Sequence, residues 1–413
     1  MSLLSVEEAR TRILSQFQPV ETETISLTES ANRILSVDIA AADDLPLFDN
    51  SSMDGFALRA ADSRSAASAS RVTLRVVADI PAGFAPTISL APGEAARIMT
   101  GAQLPEGADA VVPVEDTDFN NRDAGSTAPH EVQISKPLQR GENVRPRGMD
   151  VRAGDIVLHK GRCINPQSAG ILGMLGFSNV EVYKRPRVAL LSSGDELLDV
   201  NTPLEPGKIR DSNSYMLAAL IESANAEVLR LGIAKDTRDS VTNLIEQAVG
   251  HNVDLIISSA GVSVGAYDYV KEVVESNGAL DFWRVNMRPG KPLAFGNYKN
   301  IPFIGLPGNP VSAFVGFEVF VRATIGRLSG GALAPDGSRL TVRVRCEEQI
   351  LSDGRESYLR AILHERDGVY IAKLTGHQGS GNLLSLVQAD TLLIIPAGVK
   401  CVPAGQEVNA WLL

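Results

Sequence analysis

Asp254-Leu255-Ile256-Ile257-Ser258-Ser259-Ala260-Gly261-Val262-Ser263-Val264-Gly265-Ala266-Tyr267-Asp268-Tyr269 decides the fold. It opens with an apolar run of strand length and passes through small residues into a helical pattern over 269–276. An apolar run without alternation is covered on both faces, the habit of parallel strands in α/β sheets. The loop packs small residues around one acid, as a phosphate cradle does. Its spacing matches neither G-x-x-x-x-G-K-[ST] nor G-x-G-x-x-G.

The same texture continues on both sides. RVALLSS (187–193), EVLRLGI (227–233) and IPFIGL (301–306) are short apolar runs, separated by the helical stretches SYMLAALIESAN and RDSVTNLIEQAVG. Such alternation predicts a doubly wound sheet over residues 183–328, with ligands at the carboxyl ends of its strands. Upstream, Ser5 and Glu8 form a capping box before Ala9, Ile13, Leu14 and Phe17, and a second short helix is expected over Glu29–Leu35. RVTLRVVADI, EAARIM and ADAVVPVED read as strands, with Val72, Leu74 and Val76 on one face, and a helix is expected around Asn165–Gly176. From about Ala332, RLTVRVRCEE, YLRAILHE, VYIAKLT, TLLIIP and EVNAWLL read as a small sandwich or barrel, with a turn at Asp367-Gly368.

The chemistry collects at strand ends. RVALLSS runs into Gly194-Asp195-Glu196, EVLRLGI into Asp236, and DLIISS into the loop ending at Asp268. Alone, each acid is an ordinary helix cap or turn residue; together at one sheet edge they suit an oxygen-ligated cation such as magnesium. Arg284, Arg288 and Lys291 occupy a segment stiffened by Pro289, Gly290 and Pro292, either a solvated basic loop or an anion site. Leu306-Pro307-Gly308-Asn309-Pro310-Val311-Ser312 is a helix start whose amides, with Ser312, could cradle an oxyanion. Asp49 and Asp54 lie in a polar turn, and 375–382 is a Gly/Ser loop downstream of Arg355 and Arg360. The residues alone point to an enzyme that handles phosphoryl groups or oxyanions.

Composition narrows the partners. The 413 residues carry a formal net charge of −10, which argues against sequence-independent nucleic-acid or anionic-membrane binding. No run approaches the ~20 apolar residues of a membrane span, and the amino terminus does not read as a signal peptide. The 3 cysteines (163, 346 and 401) are far apart and are expected to be buried thiols, and the 5 histidines are scattered. A cytoplasmic protein is expected.

In order along the chain, DNSSMDGFALR, RIMTGAQLPEGADAVV, GENVRPRGMDV, LLSSGDEL, SSAGVSVGAYD, RPGKPLAFG, GLPGNPVSA and LTGHQGS resemble the MoeA family of molybdopterin molybdenumtransferases, related to the E domain of gephyrin. The resemblance covers essentially the whole chain. It implies a discontinuous helical and β linker domain (1–44 and 141–182), a β-rich insertion (45–140) carrying Asp54, a MogA-like α/β domain (183–328) and a carboxy-terminal β-barrel (329–413). It further implies a homodimer whose active site joins the α/β domain of one subunit to the insertion of the other, and transient contacts with other cofactor-biosynthesis proteins. The implied reaction inserts molybdate into adenylylated molybdopterin with magnesium-dependent release of AMP.

Position by position, Asp54 matches the family's essential acid, Asp150 another family acid, and Thr100 and Arg145 line the same cleft. Glu196, Asp236 and Asp268 match the acidic cluster around magnesium and the adenylate phosphates. Ser263, Arg288, Lys291, Ser312, Arg360 and Ser380 match positions around molybdate, with Arg284 nearby, and Pro307 and Pro310 match the proline pair that shapes the helix-start loop. Two departures stand out. Ala260 replaces a glycine, a strain of about 1 kcal/mol if the backbone there has positive φ. Arg284 and Arg288 replace lysines, putting planar forks where point charges are common. A pterin adenylyltransferase would share the α/β domain but not the flanking parts. A clustering scaffold would need neither Asp54, Asp268 nor Lys291.

Overall fold

The computed structural model describes residues 3–67, 69–119, 125–260, 269–331 and 339–413, and the chain divides into two compact units. One comprises Met1–Val37, Lys160–Gly170 and Phe177–Leu413; the other comprises Asp38–His159 and Ile171–Gly176.

In the larger unit the apolar runs form one six-stranded sheet. Its strands are β1 (Arg187–Ser193), β2 (Glu227–Ala234), β3 (Leu255–Ser259), β4 (Gly278–Arg284), β5 (Pro292–Tyr298) and β6 (Ile301–Leu306), in spatial order β2-β1-β3-β6-β5-β4. The four expected strands are parallel to one another. β3 is buried at every position and β1 at all but Arg187, whereas β2, at the edge, is only partly covered. β5 and β4 add an antiparallel extension that the sequence reading did not anticipate, and the expected basic loop joins them. Pro292 and Gly296 hide β5, because such residues weaken a strand pattern; Pro292 is tolerated as the first residue of its strand.

Helices cover both faces. α1 (Val6–Leu14) starts at the expected Ser5/Glu8 capping box. It packs Val6, Ala9 and Ile13 with Leu217 and Ile221 of α2 (Asn213–Ser223) on one face. On the other face α3 (Arg238–Gly250) contributes Val241, Ile245 and Ala248, and α4 (Tyr269–Ser276) contributes Val270, Val273 and Val274. Thr237 caps α3 by accepting from the Ser240 amide. α5 begins at Pro310–Gly316, widens to a π turn over Phe317–Val321 and resumes at Arg322–Leu328. The short helix expected over Glu29–Leu35 is replaced by a single 3-10 turn, Leu27–Glu29, followed by bridges of Ile34 and Leu35 to Cys163 and Val182.

The last part of this unit is a closed five-stranded barrel. Its strands are β7 (Thr341–Cys346), β8 (Glu356–Arg366), β9 (Val369–Leu374), β10 (Thr391–Ile395) and β11 (Glu407–Leu412). They pair in the order β8-β9-β7-β11-β10, and β10 returns to β8. Asp367 and Gly368 both have positive φ, 53° and 74°, as a two-residue hairpin turn between β8 and β9 requires. Cys346 is buried as expected, but Cys163 and Cys401 are exposed, lying in an isolated bridge and a two-residue strand, outside the apolar clusters.

The smaller unit is built on a five-stranded sheet ordered Ala110–Pro113, Gly55–Leu58, Glu94–Ile98, Val72–Ile80, Glu131–Ile134. Gly55–Leu58 is buried at all four positions. Leu74 packs on the same cluster as Val72 and Val76, as their alternation predicts. A Cβ on Gly55 would lie 1.9 Å from the Val112 carbonyl oxygen, so only glycine lets this strand approach its neighbour and set Asp54 immediately before it.

Candidate functional site

In the smaller unit the expected residues fall into two adjoining pairs. Asp54 Oδ1 accepts from both the backbone N–H and the hydroxyl of Thr100, each at 2.7 Å. Arg145 Nη2 donates to Asp150 Oδ2 at 2.6 Å, an exposed ion pair. The turn bearing Asp54 is pinned between the two. Asn50 pairs with Arg145 and bridges to Gln103, while the Ser52 amide and hydroxyl both donate to the Asn143 carbonyl. Asp49, a candidate acid in the sequence, is structural: its Oδ1 accepts from the Arg147 amide at 2.7 Å.

In the larger unit the sheet places its acids at the carboxyl ends of β1 and β2. The Asp195 amide donates to Asp236 Oδ2 and the Asp236 amide donates to Asp195 Oδ1, both at 3.2 Å. Glu196 follows Asp195, with its carboxylate close over Gly194. Asp268, the third expected acid, and Ser263 lie outside the described residues. Among the described residues no group of three or more His, Cys, Asp or Glu side chains gathers as a metal shell. The strand order turns between β1 and β3, the switch point where open α/β sheets bind ligands. Asn213, which the sequence reading missed, marks this crevice: its Nδ2 donates to Ser259 Oγ at 2.8 Å and to the Gly308 carbonyl at 2.7 Å. Only its position in α2 identifies it, because nothing in its spacing differs from an ordinary helix start.

Ala260, at the end of β3, has φ 75°, the left-handed region that favours glycine. The departure noted in sequence is therefore strained, and Ala260→Gly is expected to raise stability by about 1 kcal/mol. Urea titration would read this as a higher midpoint with an unchanged slope.

A basic group gathers where the barrel meets the start of α5. Arg288, in the two-residue strand Met287–Arg288, pairs with Ser357 of β8, three residues before Arg360. Arg360 is fully buried, at 0% exposure, and no carboxylate among the described residues pairs with it. Its Nε donates to Ser385 Oγ at 3.0 Å and its Nη2 to the carbonyls of Gly379 (3.1 Å) and His377 (3.4 Å). Nη1 is buried with no hydrogen-bond partner among the described residues. Burial and, secondarily, the Arg288 charge push this guanidinium down to about 10.

The 375–382 loop is fixed by Gln378, whose amide accepts from the Arg360 N–H at 2.9 Å and donates to its carbonyl at 3.0 Å. Ser380 Oγ accepts from Asn309 Nδ2 at 3.1 Å, and the Ser380 carbonyl accepts from the Val311 amide at 3.0 Å. Two positions of the expected amide cradle are therefore not open donors, since Pro310 has no N–H and the Val311 amide is already bonded. Ser312 is buried in the first turn of α5, its carbonyl oxygen beside Gly290. The Pro307-Gly308 turn sits against Ala260. Lys291 and Arg284 make no side-chain hydrogen bond or ion pair with a described residue, and Arg284 ends β4 instead of lying in a loop.

Among the described residues, four buried side-chain polar atoms lack a described partner: Asn50 Oδ1, Ser192 Oγ, Asn213 Oδ1 and Arg360 Nη1. Native interiors leave few such groups, and all four lie in the segments just described. By contrast, an open cleft of about 510 Å³ lined by Arg12, Gln16, Asp281, Asn297 and Asn300 contains none of these residues; Asn300 and Pro302 place it at the opposite edge of the sheet.

Residues 4–176 match the MoeA N-terminal region (domain I and II), residues 189–327 a probable molybdopterin binding domain, and residues 343–413 the MoeA C-terminal region (domain IV). The chain belongs to the MoeA family. Among MoeA relatives, a molybdopterin molybdenumtransferase of Nostoc sp. is 41% identical over 94% of this chain and 88% of its own length. Molybdopterin molybdenumtransferase 2 of Mycobacterium tuberculosis is 38% identical over 98% of this chain and 99% of its own. The crystal structure of a MoeA protein from Pyrococcus horikoshii OT3 superposes with a TM-score of 0.84 at 27% identity, covering 100% of both chains. No helix among the described residues is long and apolar enough to cross a membrane.

Proposed function

We propose that this protein is a molybdopterin molybdenumtransferase that inserts molybdate into adenylylated molybdopterin and releases AMP. The observation that carries the reading is Arg360: a buried guanidinium held, among the described residues, only by neutral acceptors, with one nitrogen unsatisfied by them, is arranged for an anion. Arg288, Lys291, Ser312 and Ser380 complete a cluster suited to a tetrahedral oxyanion, with Ser263, outside the described residues, as the remaining member. The pterin adenylate would lie along the β1/β3 crevice, near Asn213, Pro307 and Pro310.

The acids at the strand ends are all carboxylates, the hard donors that magnesium takes, and magnesium usually keeps only one or two of them together with substrate phosphate. Glu196 and Asp236, with Asp268, would hold it. When bound, it would polarise the phosphate linkage that is broken. Asp54, oriented by Thr100, and the Arg145–Asp150 pair supply the acidic and basic groups of the second half-site. The four-part division at residues 44/45, 140/141, 182/183 and 328/329, a homodimeric working form and contacts with other cofactor-biosynthesis proteins belong to the same proposal.

Arg360→Gln is expected to lower molybdate affinity at least about tenfold, because it removes a charge from a buried hydrogen-bonded site. Equilibrium dialysis with molybdate measures this; unchanged affinity would remove Arg360 from the site.

A further inference from the structure

Arg288 is shared. Its Nη1 lies 3.7 Å from Asp353 Oδ2, too long for a hydrogen bond but close enough for an ion pair. The same carboxylate is already satisfied. Arg355 donates to Asp353 Oδ2 from Nε at 3.0 Å and also from Nη2, and its amide donates to Oδ1 at 3.1 Å. Arg355 Nη1 in turn donates to the carbonyl of Met287, the residue before Arg288. Asp353 and Arg355 thus form a fixed, nearly neutral unit at the rim, and Arg288 rests against its negative end. Arg360, close enough to feel the Arg288 charge, is buried and without a counter-ion among the described residues.

We infer that Asp353 is a built-in competitor for Arg288 that sets how tightly the cluster holds its oxyanion. An anion seated by Arg360 shares Arg288 with a carboxylate that is never removed, so part of the attraction of Arg288 is spent before the anion arrives. The short bonds from Arg355 hold Asp353 in place when Arg288 turns toward the anion, so the competition is permanent and the site stays reversible. Arg288 suits this role better than lysine, because a planar guanidinium presents different nitrogens to two partners at once. Arg355 acts through Asp353 and is a positioning residue. The inference rests on reading the Arg288/Arg360 cluster as an oxyanion site.

Molybdate binding to the full chain, measured by titration calorimetry across a salt series, tests it in wild type, Asp353→Asn, Arg288→Gln, the Asp353→Asn/Arg288→Gln double variant and Arg360→Gln. Asp353→Asn is expected to bind molybdate about two- to fivefold tighter with a steeper salt dependence, the range open to a partly exposed ion pair. In the Arg288→Gln background the same change is expected to have no effect, which a general change in folding would not produce. Equal or weaker binding by Asp353→Asn, or an equal gain with Arg288 absent, overturns the competition. Molybdate binding that is absent in wild type or unaltered in Arg360→Gln overturns the oxyanion reading itself. Should Asp353→Asn fold poorly, Arg355→Gln gives the second reading: it leaves Asp353 to Arg288 alone and is expected to weaken binding, and tighter binding contradicts the inference.

Discussion

Asp54→Asn is expected to abolish molybdenum transfer, by at least about 100-fold, while leaving the fold intact. The geometry separates these two effects. Asp54 is held through Oδ1, which accepts from the Thr100 amide and hydroxyl. An asparagine side-chain oxygen can accept both bonds, so the turn between the Gln103 and Arg145 segments persists. What it loses is the negative charge and the ability to take a proton. The check is molybdenum transfer to the pterin measured beside the thermal unfolding midpoint. Full activity in this variant would remove Asp54 from the chemistry, and a large fall in melting temperature would show that its role is structural.

The second large effect lies away from the site. Glu318 sits in the π turn of α5 with its side chain at 0% exposure, clasped by Arg322 and Arg339. Arg322 donates from Nε and Nη2 at 2.7 and 2.9 Å, and Arg339 from Nε and Nη2 at 2.8 and 2.7 Å. Arg339 Nη1 also reaches the Leu412 carbonyl at 3.1 Å, so one carboxylate ties the helix beneath the sheet to the barrel's last strand. Glu318→Gln leaves two largely buried guanidinium groups without a counter-ion and is expected to cost about 3–5 kcal/mol. Adding Arg339→Met is expected to recover part of that loss, because the uncompensated charge then falls.

The pH dependence follows in sign. Burial alone would raise the Glu318 carboxyl, but the hydrogen bonds and charges of Arg339 and Arg322 outweigh it and hold it below its ordinary value. A folded-state value below the unfolded one means the stabilisation is complete above the unfolded value, 4.5, and is lost as pH falls through the folded value. Stability measured from pH 7 downward should therefore fall less steeply in Glu318→Gln than in wild type.

Much of the architecture was legible because burial on both faces leaves a plain mark. The runs at 187–193, 227–233, 255–259 and 301–306 contain few polar residues, and each became a parallel strand. Alternation was equally informative in the barrel. The antiparallel strands β4 and β5 were not legible: proline and glycine interrupt β5, and β4 pairs only with β5. In the candidate site, placement was legible where a charged residue follows a strand, as Asp236 does at the end of β2. It was illegible where the candidate site is held by a long-range contact. Gln378 anchors the Arg360 backbone, Asn213 spans two strand ends and Asp353 faces Arg288, and each reads in sequence as an ordinary polar residue. Arg360 lies in a strand of alternating texture and gave no sign that it is wholly buried. Glu318 was lost inside an apolar helix because one of its partners, Arg339, is 21 residues away.

Release of AMP from adenylylated molybdopterin by the purified full chain, with magnesium present and molybdate supplied or withheld, is the most direct test of the assigned reaction. The account predicts that AMP appears together with molybdenum-loaded pterin when molybdate is present, and that withholding molybdate leaves the adenylate intact. Consumption of ATP to adenylylate free molybdopterin, or an adenylate that survives molybdate and magnesium unchanged, would contradict it.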